Sequence, residues 1–120
     1  MKTTSDETKA LQACARYATR AAEIKQLTAT IGNSLRACRS KERDDNGAKA
    51  THLSKALRMS VEIEETGERR RLYDDEILAV TGRCGCCRAA FNAIKARKSK
   101  RRSLGQVKRH INVIGRRAAA

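Results

Sequence analysis

The sequence predicts a mostly α-helical protein: a long N-terminal helix packed with basic C-terminal helices, a small β-hairpin within residues 57–73, and a stabilising zinc ion. Three observations lead to this fold class. The 120 residues include two Tyr, one Phe and no Trp, too few aromatic side chains for a large β-sandwich or barrel. Apolar residues recur every three or four positions in long segments, as they do along one face of a helix. Five Cys and two His supply candidate metal ligands.

The first predicted helix covers residues 8–39, where apolar side chains form a single stripe. The stripe consists of Leu11, Cys14, Ala18, Ala21, Ile24, Leu27, Ile31, Leu35 and Cys38. Residues 44–47, with the sequence DDNG, are a strong turn signal at which the chain reverses. Residues 48–57 predict a short helix. Apolar and polar residues then alternate as in a half-buried strand, and Thr66 and Gly67 occupy the turn of the predicted hairpin.

The remainder of the chain predicts further helical segments. A short helix begins at the acidic residues 74–76, which suit the positive end of a helix dipole, and ends at Gly82. Two helical stretches follow, one over residues 88–96 and one marked by apolar residues from Leu104 to Ile114. Their apolar stripes are about half a turn out of phase, so either a new helix starts near Ser103 or the two halves pack on different partners. The chain is predicted to form one domain, 1–120, with parts 1–47, 48–82 and 83–117.

The cysteines and histidines predict a metal centre. Cys84 and Cys87 have the C-x2-C spacing with which one tight turn directs two thiolates at a tetrahedral ion. Cys38 and His52 flank the reversal at 44–47, as the two ligands of a second half-site would. The predicted set is therefore Cys38, His52, Cys84 and Cys87, holding a structural Zn2+. Four protein ligands leave no open position for water, and hence no metal catalysis.

Other readings of these residues stay open. Cys86 could replace Cys87 as a ligand, and His110 is a further candidate, although its basic neighbours favour a place on the charged face. Cys14 lies on the apolar stripe and is expected to be a small buried residue. Redox chemistry of the C-x2-C pair competes with metal binding, but no βαβ pattern surrounds it.

The net charge of +14 is concentrated in the C-terminal part. Residues 77–120 carry twelve Lys and Arg and no acidic residue. Such a field attracts a polyanion, and nucleic acid is the expected partner. The scarcity of aromatic residues argues against base stacking, so a duplex or folded nucleic acid held by its phosphates is expected. The candidate contacts are Lys95, Arg97, Lys98, Lys100, Arg101, Arg102, Lys108, Arg109, Arg116 and Arg117.

Several function classes are not expected. No apolar run approaches the length of a membrane span, and the polar start has no signal-peptide character, so we expect a cytosolic protein. In that reducing compartment, cysteines are expected as thiols or metal ligands rather than disulfides. The sequence has no Ser/His/Asp set, no Gly-rich phosphate loop and no pair of carboxylates beside a histidine. An enzyme is therefore not expected.

Several short motifs together resemble small, largely uncharacterised proteins of tailed bacteriophages and prophages. They are ACR at 37–39, DDNG at 44–47, THL at 51–53, the C-x2-C pair and the C-terminal LGQVKRHINVIGRR. The likeness covers residues 27–117 and supports grouping the four predicted ligands. It implies a context, the bacterial cytoplasm during infection, where small phage proteins bind nucleic acid, redirect transcription or disable host enzymes and defences. Together with the charge distribution, this leads us to expect a zinc-containing accessory protein that binds nucleic acid through its basic C-terminal half in a regulatory role. The alternative is an effector that inhibits a host protein or nucleoprotein complex, such as RNA polymerase or a CRISPR complex.

Overall fold

The computed structural model describes residues 2–119, with side chains from residue 5 onward. Within these residues it contains four helices and one two-stranded antiparallel sheet, which confirms the mostly helical fold class. The elements are α1 (Lys2–Ala37), α2 (His52–Arg58), β1 (Ser60–Glu62), β2 (Arg69–Arg71), α3 (Asp74–Thr81) and α4 (Gly85–Ala119).

The chain divides into two compact units. The helical pair comprises the residues of α1 up to Ala29 and those of α4 from Ile94 onward. The metal-cluster unit comprises Thr30–Ala93. The earlier expectation of a single domain stays a prediction.

The two segments of the helical pair run antiparallel. Contacts between them join Tyr17 to Lys108, Arg20 to Ser103, Glu23 to Lys100 and Thr28 to Arg97. The contact residues of α4 thus come closer to the N-terminus of α4 as those of α1 come closer to the C-terminus of α1. The pair buries few apolar side chains: of the twelve buried apolar residues in the described chain, only Ala13 and Ile114 belong to it.

The apolar core lies in the metal-cluster unit. Helices α2 and α3 pack on each other there. Leu53 is the largest fully buried apolar side chain, and Ile77 and Phe91 are also buried. A core of this size, with one buried aromatic ring, agrees with the thin core that the composition implies.

The small sheet is a hairpin whose register pairs Ser60 with Arg71 and Glu62 with Arg69. Gly67 has a φ of +72°, and its amide donates to the Ile63 carbonyl over 2.8 Å. The hairpin thus turns at the predicted residues, although its strands are shorter than the predicted span. Arg70 connects the sheet to α3, because its guanidinium pairs with Glu76 at 2.7 Å.

The structure corrects one helix prediction and decides between the two alternatives left open near Ser103. The helix expected over 48–57 begins only at His52, because residues 48–50 pair backbone groups with residues 42–44 instead. Thr51 then caps α2, its hydroxyl accepting the Ser54 amide at 3.0 Å. No new helix starts near Ser103, since α4 is continuous through it. The apolar stripes of α4 are out of phase because one continuous helix contributes to two units, its first part to the metal-cluster unit and the rest to the helical pair.

The apolar stripe of α1 is only partly buried. From Ala21 to Cys38 its members are buried or half-buried, but Leu11 is 72% exposed and Cys14 is also exposed. The expectation of a buried Cys14 is therefore wrong. The side chains beside it in α4 include Lys108 and Asn112, which leave an open cavity of about 300 Å3 rather than an apolar cover.

Candidate metal centre and basic surface

Three chain segments of the metal-cluster unit bring the predicted ligands together. Cys38 follows the last residue of α1, and its amide donates to the Leu35 carbonyl at 3.2 Å. His52 is the first residue of α2. Cys84 directly precedes α4, and Cys87 lies in the first turn of that helix. Each ligand thus stands at the end of a helix, where the backbone is fixed on one side.

The turn between Cys38 and His52 is built by local hydrogen bonds. The Asp44 carboxylate accepts the amides of Asn46 and Ala48, each at 2.9 Å. Gly47 has a φ of +79°, a conformation that favours glycine. Lys49 donates to the Arg36 carbonyl at 2.9 Å, which ties the returning segment to the end of α1. The DDNG sequence therefore folds the chain back so that His52 returns to Cys38.

The potential ligand atoms of Cys38, His52, Cys84 and Cys87 all lie within 4.8 Å of one another. We call these four residues the metal cluster. The Cys38 sulfur lies 3.8 Å from that of Cys84 and 3.6 Å from that of Cys87. The His52 Nδ1 atom lies 3.3 Å from the Cys38 sulfur and 3.9 Å from the Cys87 sulfur.

These distances match a tetrahedral ion. With metal–sulfur bonds of about 2.3 Å, two sulfurs at the tetrahedral angle are about 3.8 Å apart, and a sulfur and an imidazole nitrogen about 3.6 Å apart. The four residues could therefore hold a metal ion without a large rearrangement. Three sulfurs and one nitrogen form a donor set typical of structural zinc.

Backbone amides surround the more buried sulfurs. The Leu53 amide donates to the Cys87 sulfur at 3.3 Å, and the backbone at Ser40 and His52 hydrogen-bonds to Cys38. Such outer contacts orient ligands and stabilise negative charge on sulfur. Cys87 is 0% exposed and Cys38 is 3% exposed, so water does little to stabilise a negative charge on either sulfur.

The two buried thiols have opposite pKa shifts. Burial raises the pKa of Cys87 to about 12, and the neighbouring Cys84 and Cys38 sulfurs act in the same direction. Burial also acts to raise the pKa of Cys38, but hydrogen bonds from Ser40, His52 and Cys87 outweigh it and lower the pKa to about 6. Of these two thiols, Cys38 is thus the one that loses its proton first.

A cavity of about 530 Å3 lies beside the cluster. His52 and Cys84, the two half-buried members, both line it. Cys86 also lines this cavity and is not a member of the metal cluster. His110 is exposed on α4 and likewise lies outside it. Neither alternative ligand is one of the four residues of the metal cluster.

The ten predicted nucleic-acid contacts all lie on α4 but differ in the partners they have within the chain. Three of them contact α1: Lys100 pairs with Glu23 at 2.6 Å, Arg97 donates to Thr28 at 3.3 Å, and Lys108 lies 5.8 Å from the centre of the Tyr17 ring. Lys95 is exposed and has a contact of its own. Six are exposed and make no ion pair or hydrogen bond with the part of the chain that the structure describes. They are Lys98, Arg101, Arg102, Arg109, Arg116 and Arg117.

Sequence reasoning did not find two of the supporting residues. The Leu53 amide contacts Cys87 through the backbone, which leaves no signature in side-chain chemistry. Glu23 was not identified as the partner of Lys100, because 77 positions separate the two residues. Its pKa is lowered because Lys100 donates to it, with Arg20 acting in the same direction.

Comparisons with known proteins identify no family for this chain. The sequence matches no protein-family model, and neither the curated proteins nor the solved structures include a significant match. Within residues 2–119, no helix is long and apolar enough to cross a membrane. The metal cluster and the basic surface of α4 are therefore the observations from which a function can be argued.

Proposed function

We propose that the metal cluster binds one Zn2+ and that the ion stabilises the metal-cluster unit. The sulfur–sulfur distances of 3.6 and 3.8 Å carry this proposal, because they suit zinc bound to thiolates. Four protein ligands would complete the coordination of the ion, so we assign it a structural role rather than a catalytic one. In zinc-finger peptides at pH 7, binding of structural zinc contributes about 10–16 kcal/mol, and this binding free energy is part of the folding free energy.

Metal analysis of the reduced protein tests this proposal. We expect one zinc per chain after purification without added chelator, and loss of helicity when a chelator removes it. Cobalt(II) added to the metal-free protein should give the thiolate-to-metal charge-transfer absorption of a tetrahedral sulfur-rich site. Reduced protein that takes up neither zinc nor cobalt would contradict the assignment.

We further propose that the protein binds nucleic acid through the helical pair. The charge distribution supports this: the segments forming the pair contain fifteen Lys and Arg and three acidic residues, against twelve and ten in the metal-cluster unit. An excess of this kind on one unit attracts phosphates and releases their counterions. The regulatory role in an infected bacterium that the phage resemblance implies stays a prediction.

Titration of a labelled duplex at two salt concentrations tests this second proposal. Contacts with six or more phosphates would reduce the affinity on the order of 1,000-fold between about 50 and 200 mM salt. Failure to bind at the lower salt concentration would rule the proposal out. A salt-insensitive affinity would contradict the assigned phosphate contacts.

A further inference from the structure

The basic residues of α4 in the helical pair lie on different sides of the helix. Successive residues of a helix are rotated by about 100°, so positions three, four and seven apart share a face. Lys100, Ser103, Leu104, Val107, Ile111 and Ile114 lie on one side by this rule. Lys100 and Ser103 contact α1 and Ile114 is buried, which makes this the inner face of the pair.

The opposite side of α4 carries four cations in register. Lys98, Arg102, Arg109 and Arg116 are spaced by four, seven and seven residues, which places all four within about 40° of one line along the helix. We call them the outer stripe. All four are exposed, and none has an ion pair or hydrogen bond with residues 2–119. Their charges are therefore available to a ligand.

The outer stripe is long and free of aromatic side chains. At a rise of about 1.5 Å per residue, its eighteen-residue span is about 27 Å. A duplex carries one phosphate charge per about 1.7 Å of its axis, so about sixteen phosphates lie along the same length. Gly105 lies beside the stripe, between Arg102 and Arg109 in sequence, and an added Cβ there would meet nothing within 4 Å.

The stiffness of a duplex and the lack of aromatic residues on this part of α4 both favour double-stranded over single-stranded nucleic acid. The helix backbone fixes the spacing of the four cations, and a duplex is stiff over about 150 base pairs, so neither backbone has to be ordered on binding and only the side chains lose freedom. A single strand would need ordering, which stacking on aromatic rings normally offsets. Residues 94–119 contain no Phe, Tyr or Trp, and Tyr17 on α1 already lies under Lys108.

We propose that the outer stripe is the docking face for double-stranded nucleic acid, held along its phosphates, while Arg97, Lys100 and Lys108 stabilise the helical pair. This inference rests on the proposed nucleic-acid function and assigns its ligand class and its contact residues. It also assigns two different roles to the Lys and Arg residues of α4, ligand binding and stabilisation of the pair. The net charge of the helix does not make that distinction.

Two triple variants with equal charge change test the division. The outer variant is Arg102→Gln, Arg109→Gln and Arg116→Gln. The inner variant is Arg97→Gln, Lys100→Gln and Lys108→Gln. For duplex DNA of about 20 base pairs, the outer variant should lose on the order of 100-fold or more in affinity, and its log–log salt slope should fall by about 2.7. The inner variant should stay within about fivefold of the parent affinity, because its side chains contact α1 rather than lie on the outer stripe.

Helicity and melting temperature verify that each variant is folded. If the inner variant unfolds, a second control with the same charge change replaces it, taken from exposed cations of the metal-cluster unit. That control is Lys41→Gln, Arg83→Gln and Arg88→Gln. It should bind duplex within about fivefold of the parent protein.

The outcomes separate the inference from the function on which it rests. Equal losses in the outer variant and in a folded control would show that net charge alone drives binding, which overturns the outer stripe but keeps nucleic-acid binding. Single-stranded DNA of the same sequence, or poly-glutamate of equal charge, bound as tightly as the duplex would overturn the ligand class. A duplex RNA arm determines which of the two duplexes is preferred. Absence of all nucleic-acid binding by the parent protein would overturn the proposed function itself.

Discussion

The Sγ atom of Cys87 lies 3.6 Å from that of Cys38, although 49 positions separate the two residues in the chain. Cys87 is the first-turn residue of a long helix, and Cys38 follows the end of another. Their proximity joins the beginning of α4 to the end of α1 within one unit. A metal ion bound between them would crosslink these segments as a disulfide does elsewhere, without requiring an oxidising compartment.

Replacement of Cys87 by Ala should abolish zinc binding and unfold the metal-cluster unit. The reason is that a structural site of this kind contributes folding free energy directly. Metal content and the helical circular dichroism signal measure both effects. Cys86→Ala is the matched control, because Cys86 is the adjacent thiol outside the metal cluster, and it should retain one zinc and parent helicity. Zinc loss in the Cys86 variant and retention in the Cys87 variant would contradict the ligand assignment.

Leu53→Ala should lower the free energy of unfolding by about 2–5 kcal/mol, the range for a buried leucine that leaves a cavity. Leu53 is 1% exposed, and its amide contacts the Cys87 sulfur. Chemical denaturation of the zinc-loaded protein provides the measurement. The control is Leu57→Ala in the same helix, where the side chain is 43% exposed and the cost should be under about 1 kcal/mol. Similar costs for the two variants would be inconsistent with the described core.

Two glycine substitutions should change stability in opposite directions. Gly105 lies inside α4 with open space around it, so Gly105→Ala should stabilise the protein by about 1 kcal/mol through helix propensity. Gly82 ends α3 with a φ of +58° and a ψ of −127°, a conformation that side chains rarely adopt, so Gly82→Ala should cost about 1–3 kcal/mol. Thermal melts of the two variants against the parent measure the signs. A stabilising Gly82→Ala would mean that α3 does not end in this conformation.

The Glu23–Lys100 pair should stabilise the helical pair in a pH-dependent manner. Lys100 and Arg20 lower the pKa of Glu23 from its ordinary value of 4.5. A carboxyl group with a lowered pKa in the folded state contributes stability above its unfolded value, and that contribution is lost as the pH falls through the folded value. Glu23→Gln should therefore reduce the melting temperature at pH 7, and the difference from the parent should shrink as the pH falls below 4.5.

Glu7→Gln provides the control for this pH series, because it removes an exposed carboxylate from the same helix. Its melting curve should follow the parent curve more closely than that of Glu23→Gln at pH 7. A Glu23→Gln difference that persists unchanged in acid would show that the ion pair is not its cause.

Local chemistry explains what could be predicted from the sequence. The spacing of Cys84 and Cys87 and the turn at Asp44 act over a few residues, so each half of the metal cluster could be recognised separately. The hairpin turn at Gly67 and the end of α3 at Gly82 carry equally local signals. These features need no knowledge of distant packing.

Contacts between distant segments explain what could not be predicted. Whether Cys14 is buried depends on the side chains that α4 places beside it, and these include Lys108 and Asn112. The continuity of α4 was ambiguous because Phe91 belongs to the core of one unit and Leu104 to the inner face of another. A change of packing partner along one helix produces the same shift of apolar phase as a helix break.

The helical pair combines few buried apolar side chains with fifteen cationic residues, and this combination has a cost in dilute buffer. Like charges along adjacent turns repel one another, and the repulsion reaches about 10 Å at 0.1 M ionic strength and about 30 Å at 0.01 M. Dissolved ions shorten the range of this repulsion and so reduce the destabilisation of the folded pair that it causes. We therefore expect added salt to favour the folded form of the helical pair, whereas the proposed binding to phosphates would weaken in the same conditions.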